Sequence, residues 1–114
     1  SNILEAIQGH HELIGMCLDT GHFARAGGDI VEAARKLGKR MYGLHLKDVN
    51  EQNRDVVFGD GRLRFEELFL TMKQKDALDS CAVILEYELE PDDPIPGIRK
   101  SVERIRSILK KVTS

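Results

Sequence analysis

The sequence predicts an α/β fold in which parallel strands are covered by helices. Three short runs of small or apolar residues, at 13–19, 41–47 and 81–87, have the length and composition of buried strands. Each run is followed by a segment with helical spacing of apolar residues, and no hairpin turn signal joins any two runs. Repeated strand and helix units of this kind form a parallel sheet with right-handed crossovers.

The first predicted strand follows a short helix at residues 3–9 and ends at Asp19. Because nearly every residue before Asp19 is small or apolar, we expect this strand to be buried on both faces. Asp29 is the expected cap of the next helix, from Ile30 to Leu37, whose apolar residues recur at i, i+3, i+4 and i+7.

The second strand leads into a polar loop at residues 48–62. This loop is too long to be a simple connector, and its length predicts that it folds over another part of the molecule. The next helix carries an apolar stripe formed by Phe65, Leu68, Phe69 and Met72. After the third strand, Pro96 opens the last helix, which has an apolar seam made of Ile98, Val102, Ile105, Leu109 and Val112.

Length and composition limit the classes of protein to consider. A chain of 114 residues suits one domain, residues 1–114. The 19 acidic and 17 basic residues are interspersed along the sequence. Because no basic patch results, we expect neither nucleic acid nor an anionic membrane as a partner. The apolar runs are much shorter than the roughly 20 residues of a membrane-spanning helix, and no leader pattern opens the sequence.

Cys17 and Cys81 lie in strand-like runs, so we expect buried, reduced thiols and a cytoplasmic location.

Three chemically capable side chains lie at the ends of the three strands: Asp19, His45 and Glu86. Ligand sites of parallel α/β folds lie at the carboxyl ends of the strands. Two carboxylates and an imidazole suit a divalent cation such as Mn, Mg, Co or Zn. Each residue also has a structural alternative. Asp19 could cap the loop that follows, His45 could be a core residue, and Glu88 could be the functional acid in place of Glu86.

Two further candidates accompany these residues. His22 lies three residues after Asp19, where it could contact a substrate or make a structural hydrogen bond. Lys47 shares a strand face with His45 and could offset negative charge on a substrate, or form an ion pair with Asp48.

Four short motifs, in this order, resemble the C-terminal part of the xylose-isomerase-like TIM barrels, the sugar isomerase and epimerase group. The motifs are Leu18-Asp-Thr-Gly-His22, His45-Leu-Lys-Asp48, Phe58-Gly-Asp-Gly-Arg-Leu-Arg-Phe65 and Leu85-Glu-Tyr-Glu88. The resemblance implies that the three strands are the sixth, seventh and eighth of an eight-stranded barrel. It also implies that Asp19, His45 and Glu86 hold a divalent metal together with a glutamate from an earlier strand.

The activity implied by the resemblance is isomerisation or epimerisation of a sugar, or of a sugar-like hydroxy-carbonyl compound. Such enzymes transfer a proton through a metal-stabilised enediolate. Glu86 would be a ligand and a catalytic residue, and His22 and Lys47 would be catalytic residues that also contact the substrate. Glu88 would contribute to substrate binding.

A complete barrel of this kind has about 250 residues, so the chain corresponds to a part of one. Three parallel strands cannot close a barrel, and we expect a homo-oligomer or the N-terminal half of a barrel to cover the exposed sheet. Two alternatives remain. One is a zinc-dependent DNA-repair hydrolase similar to endonuclease IV, against which the four histidines and the slightly acidic charge argue. The other is a truncated, non-catalytic domain that only self-associates.

Overall fold

A three-stranded parallel sheet forms the centre of the computed structural model, which describes residues 16–87, 89 and 92–113. The strands of this sheet are β1 (Met16–Asp19), β2 (Met41–Leu46) and β5 (Ala82–Leu85), in the order β1-β2-β5. The helices are α1 (Thr20–Arg25), α2 (Ile30–Leu37), α3 (Phe65–Gln74) and α4 (Ile95–Thr113), and a 3-10 turn, Gly38–Arg40, precedes β2. The predicted α/β class with parallel strands and covering helices is therefore confirmed.

The element bounds differ from the predicted ones by small amounts. The strand predicted at 13–19 is described only from Met16, and the helix predicted at 3–9 lies outside the described residues. Lys47 and Glu86 each follow the last residue of their strand. The final helix begins at Ile95, one residue before Pro96.

The helices pack on one face of the sheet and form the core there. Leu18, Leu44 and Leu46 point from the strands into this core and are almost completely buried. The stripe predicted on α3 packs against them, and the seam of α4 lies partly buried at the edge of the same cluster. Asp29 caps α2 as predicted, because its Oδ1 accepts from the N–H groups of Val31 and Glu32. None of the helices in the described part of the chain combines the length and apolar character that a membrane crossing requires.

The opposite face of the sheet is largely exposed, which corrects two expectations. Cys17 is exposed, so β1 is not buried on both faces and only Cys81 is a buried thiol. Ile84 on β5 is 48% exposed. The physical reason is that the described helices all cover the other face. Burial, and then the nearby Cys17 thiol, raises the pKa of Cys81, which favours an inert, protonated thiol.

The loop predicted at 48–62 contains a small hairpin, although the sequence analysis predicted none. Strand β3 (Asp48–Val49) pairs antiparallel with β4 (Asp55–Val56), with Asp48 opposite Val56 and Val49 opposite Asp55. The Asn50 side chain accepts from the N–H groups of Gln52 and Arg54 and closes the turn. Two-residue strands are too short to produce a detectable alternation, so the prediction failed here.

Asp48 organises the rest of this loop. Its carboxylate is buried and accepts hydrogen bonds from four backbone N–H groups, those of Val49, Gly59, Gly61 and Leu63. Burial raises the pKa of Asp48, and the four N–H donors oppose that rise. A side chain at Gly61 would collide with the Asp48 carboxylate and the Val49 carbonyl, so the close approach requires glycine.

Replacing Asp48 with Asn should lower the free energy of unfolding by about 2 to 4 kcal/mol, measured by urea denaturation. An amide keeps the shape but directs an NH₂ group at N–H donors, which leaves buried donors without an acceptor at about 1 to 3 kcal/mol each. Asp60→Asn is the matched control in the same loop. Asp60 forms a partly exposed ion pair with Arg104, at 2.9 Å, whose loss should cost at most about 1 kcal/mol. Equal effects of the two changes would contradict the role given to Asp48.

Candidate metal and substrate site

The three strand-end residues come together at one edge of the sheet. Parallel pairing places Asp19 opposite His45, and His45 opposite Ile84, two residues before Glu86. Because side chains alternate along a strand, Glu86 lies on the same face as Ile84 and reaches His45. The Nδ1 atom of His45 contacts Oε1 of Glu86. Asp19, His45 and Glu86 each offer a ligand atom, and these atoms lie within 4.8 Å of one another.

The donor set fits a divalent cation. Two carboxylates and an imidazole, all partly buried, give oxygen and nitrogen ligands without thiolate. Ligand atoms that share one ion at bond lengths of about 2.0 to 2.2 Å lie at most about 4.4 Å apart. The three side chains therefore lie near the separation that a shared ion requires, and a small side-chain movement would complete it. The cluster also remains open to solvent, since the side chains of His45 and Glu86 are 32% and 26% exposed.

Asp19 has two roles rather than one. It is the N-cap of α1, a helix that the sequence analysis missed, and its Oδ1 accepts from the His22 N–H at 3.0 Å. The cap and the cluster are compatible because a carboxylate has two oxygens, each with more than one acceptor site. The acid at the N-cap position was the available signal for α1, but six residues are too few for a helical period to be recognised.

Thr20 ties the ends of β1 and β2 together, a role that the sequence analysis did not assign. Its buried hydroxyl accepts from the Lys47 N–H at 2.9 Å and donates to the Lys47 carbonyl at 2.8 Å. The His45 carbonyl is a second acceptor at 3.3 Å. The backbone on either side of Leu46 is therefore held against the first residue of α1.

The predicted substrate residues are found in different environments. The His22 side chain is 68% exposed on α1, and its Nε2 lies 3.9 Å from Oδ2 of Asp19. The Lys47 side chain is 8% exposed, and its ammonium lies 3.5 Å from Oδ2 of Asp55. Glu88 is outside the described residues. Asp55 itself was not predicted, because nothing in a polar loop marks which acid turns back toward the sheet.

A parallel sheet with helices on one face and consecutive strand and helix units is the architecture of a segment of a β/α barrel. The chain belongs to the xylose isomerase-like TIM barrel family, whose family model matches residues 1–108.

Curated relatives and a solved structure agree with this assignment. Inosose dehydratases from Mesomycoplasma hyopneumoniae strains J, 7448 and 232 are each 28% identical over 118 aligned positions, which cover 86% of this chain. The crystal structure of a xylose isomerase domain protein from Planctomyces limnophilus superimposes with a TM-score of 0.74 at 21% identity and covers 98% of this chain. The chain spans 39% of the length of the dehydratases and 44% of that crystallised chain.

Replacing Thr20 with Val should destabilise the protein by about 1 to 3 kcal/mol, because the Lys47 N–H would lose its buried acceptor. The change keeps the side-chain shape, and urea denaturation measures its effect. Thr113→Val is the matched control, since the Thr113 hydroxyl donates to the Leu109 carbonyl at the exposed end of α4. A Thr20 variant as stable as the Thr113 variant would show that the hydroxyl does not hold the two strand ends.

Proposed function

We propose that this chain carries the C-terminal part of the active site of a divalent-metal-dependent enzyme. Its substrate is a sugar or a sugar-like hydroxy-carbonyl compound, and the reaction begins with removal of a proton beside the carbonyl group. The observation that supports this proposal best is the cluster of Asp19, His45 and Glu86, whose ligand atoms lie within 4.8 Å of one another at adjacent strand ends.

The proposed metal ligands are Asp19, His45 and Glu86, and a bound Mn, Mg, Co or Zn ion would supply positive charge beside the substrate oxygens. The His22 N–H donates to the Asp19 carboxylate and orients it, which is the kind of supporting bond that fixes ligand geometry in metal sites. The direct contact between His45 and Glu86 brings these two proposed ligands together.

Proton transfer is assigned to the carboxylates. Glu86 is the candidate base within this chain, and it would take the proton from the carbon next to the carbonyl. Return of that proton to the neighbouring carbon gives isomerisation, and delivery of a proton to the opposite face of the same carbon by a second acid gives epimerisation. Loss of hydroxide from the next carbon instead gives dehydration, the reaction in the name of the curated relatives.

Substrate contacts are assigned to His22, Lys47 and Glu88. The exposed His22 imidazole can reach a ligand outside the cluster, since α1 presents it beside Asp19. The ammonium of Lys47 can offset negative charge that develops on a substrate oxygen.

The exposed sheet face supports a second part of the proposal. Ile84 and Cys17 lie on this face without a covering helix in the described residues. We propose that a second copy of the chain or the N-terminal half of a barrel covers it. Two free thiols also fit the proposed cytoplasmic location.

Metal binding is the first test. His45→Ala and Glu86→Gln should each weaken Mn²⁺ binding by at least about tenfold in isothermal titration calorimetry, because each removes a ligand. Glu66→Gln is the matched control, since Glu66 on α3 is an exposed glutamate paired with Lys111 at 3.0 Å. Equal Mn²⁺ affinity in all these variants would contradict the proposed metal site. A non-catalytic, self-associating domain would then be the better explanation.

Activity is the second test, with an inosose and the ketoses D-fructose and D-psicose as substrates in the presence of Mn²⁺. His22→Gln should lower kcat/KM by about tenfold or more while Mn²⁺ affinity stays within about twofold, because it removes a substrate contact and keeps the three ligands. A parallel loss of metal affinity would show that His22 acts on the ion. Unchanged kcat/KM would remove His22 from the substrate site.

A further inference from the structure

The Asp55 carboxylate lies between two cations that come from different elements. One oxygen contacts Nη2 of Arg25 on α1, and the other lies 3.5 Å from the ammonium of Lys47, just after β2. Asp55 belongs to the hairpin strand β4, so a single carboxylate connects the hairpin, α1 and the end of β2. All three side chains are at least two-thirds buried.

The Lys47 side chain has little freedom. Its methylene groups pack beside Gly21, where a β-carbon in place of the glycine hydrogen would lie only 3.1 to 3.2 Å from three of them. Its backbone N–H and carbonyl are both bonded to the Thr20 hydroxyl. An ammonium enclosed to this degree is costly to bury unless a counter-charge lies near it, and Asp55 supplies one. The contact with Asp55 is therefore one of the contacts that determine the position of the ammonium.

Arg25 holds Asp55 in place. Its Nε donates to the Asn53 carbonyl at 3.0 Å, while Nη2 contacts the Asp55 carboxylate. A planar guanidinium that binds two acceptors of one hairpin has a defined orientation. The carboxylate is consequently oriented from the side of α1, the helix that also carries His22.

We propose that Asp55 is a positioning residue that holds the Lys47 ammonium at the ligand edge of the sheet, two residues beyond His45. Arg25 orients Asp55 for this task. This proposal rests on the proposed function in one respect, the contact between Lys47 and a substrate. The coupling between Asp55 and Lys47 can be measured without turnover.

The coupling is tested by the reactivity of the Lys47 amine toward an acetylating ester, followed by peptide mass spectrometry. Asp55→Asn keeps the shape and removes the charge, so acetylation of Lys47 should become severalfold faster relative to exposed Lys39 in the same sample. Asp55→Glu should restore part of the protection. Asp60→Asn is the matched control, because it removes an ion pair in the same loop at a site away from Lys47. Unchanged Lys47 reactivity in Asp55→Asn, or an equal rise in Asp60→Asn, would overturn the proposal.

A double-mutant cycle on turnover of an inosose with Mn²⁺ separates this proposal from the proposed function. Asp55→Asn should lower kcat/KM by about tenfold, and the same change should have no further effect in a Lys47→Met background, because both act through one ammonium. An Asp55 effect that persists without Lys47 would overturn the positioning role. If Lys47→Met leaves kcat/KM unchanged while Asp55→Asn still exposes the amine, the coupling stands and the substrate role of Lys47 is wrong.

Discussion

Parallel pairing of β1, β2 and β5 is the constraint on which the candidate site depends. Neighbouring strands lie about 4.8 Å apart, so side chains that share a face and a level are brought within reach of one ion. The observed register puts Asp19 level with His45, and Glu86 two residues past the partner of His45. A shift of one residue in either pairing would turn one ligand to the helix-covered face, where Leu18 and Leu46 are buried. The hydrophobic core therefore determines the register, and the register assembles the cluster.

The segments around the cluster are held by polar contacts in addition to the apolar packing of Val49 and Phe58. The Thr20 hydroxyl bonds to the N–H and the carbonyl of Lys47. The Asp48 carboxylate accepts hydrogen bonds from four N–H groups of the loop that follows. From the other side of the molecule, Arg104 on α4 donates to the Phe58 carbonyl at 2.6 Å and pairs with Asp60. Loops at a ligand edge cannot be buried in apolar surroundings, because their backbone groups need partners. Buried side chains such as Asp48 supply those partners here.

The exposed face of the sheet is explained by comparison with a complete barrel. A barrel sheet is buried inside by its own opposite strands and outside by helices. The described residues supply the helices but not the opposite strands, which accounts for the exposure of Ile84. The matched dehydratases are about two and a half times the aligned length, since the chain covers 39% of them. This chain therefore corresponds to a part of those longer proteins.

The sequence by itself determined the larger helices and the strand ends, because both depend on local patterns. The stripe from Phe65 to Met72 has helical spacing, and Asp19, His45 and Glu86 are recognisable as polar residues that end apolar runs. Tertiary structure decided what local patterns do not encode: the order of the strands, the hairpin within residues 48–56, the exposure of Cys17 and the contact of Asp55 with Arg25 and Lys47. These features join residues about six to forty positions apart in the chain, and the packed core brings them together.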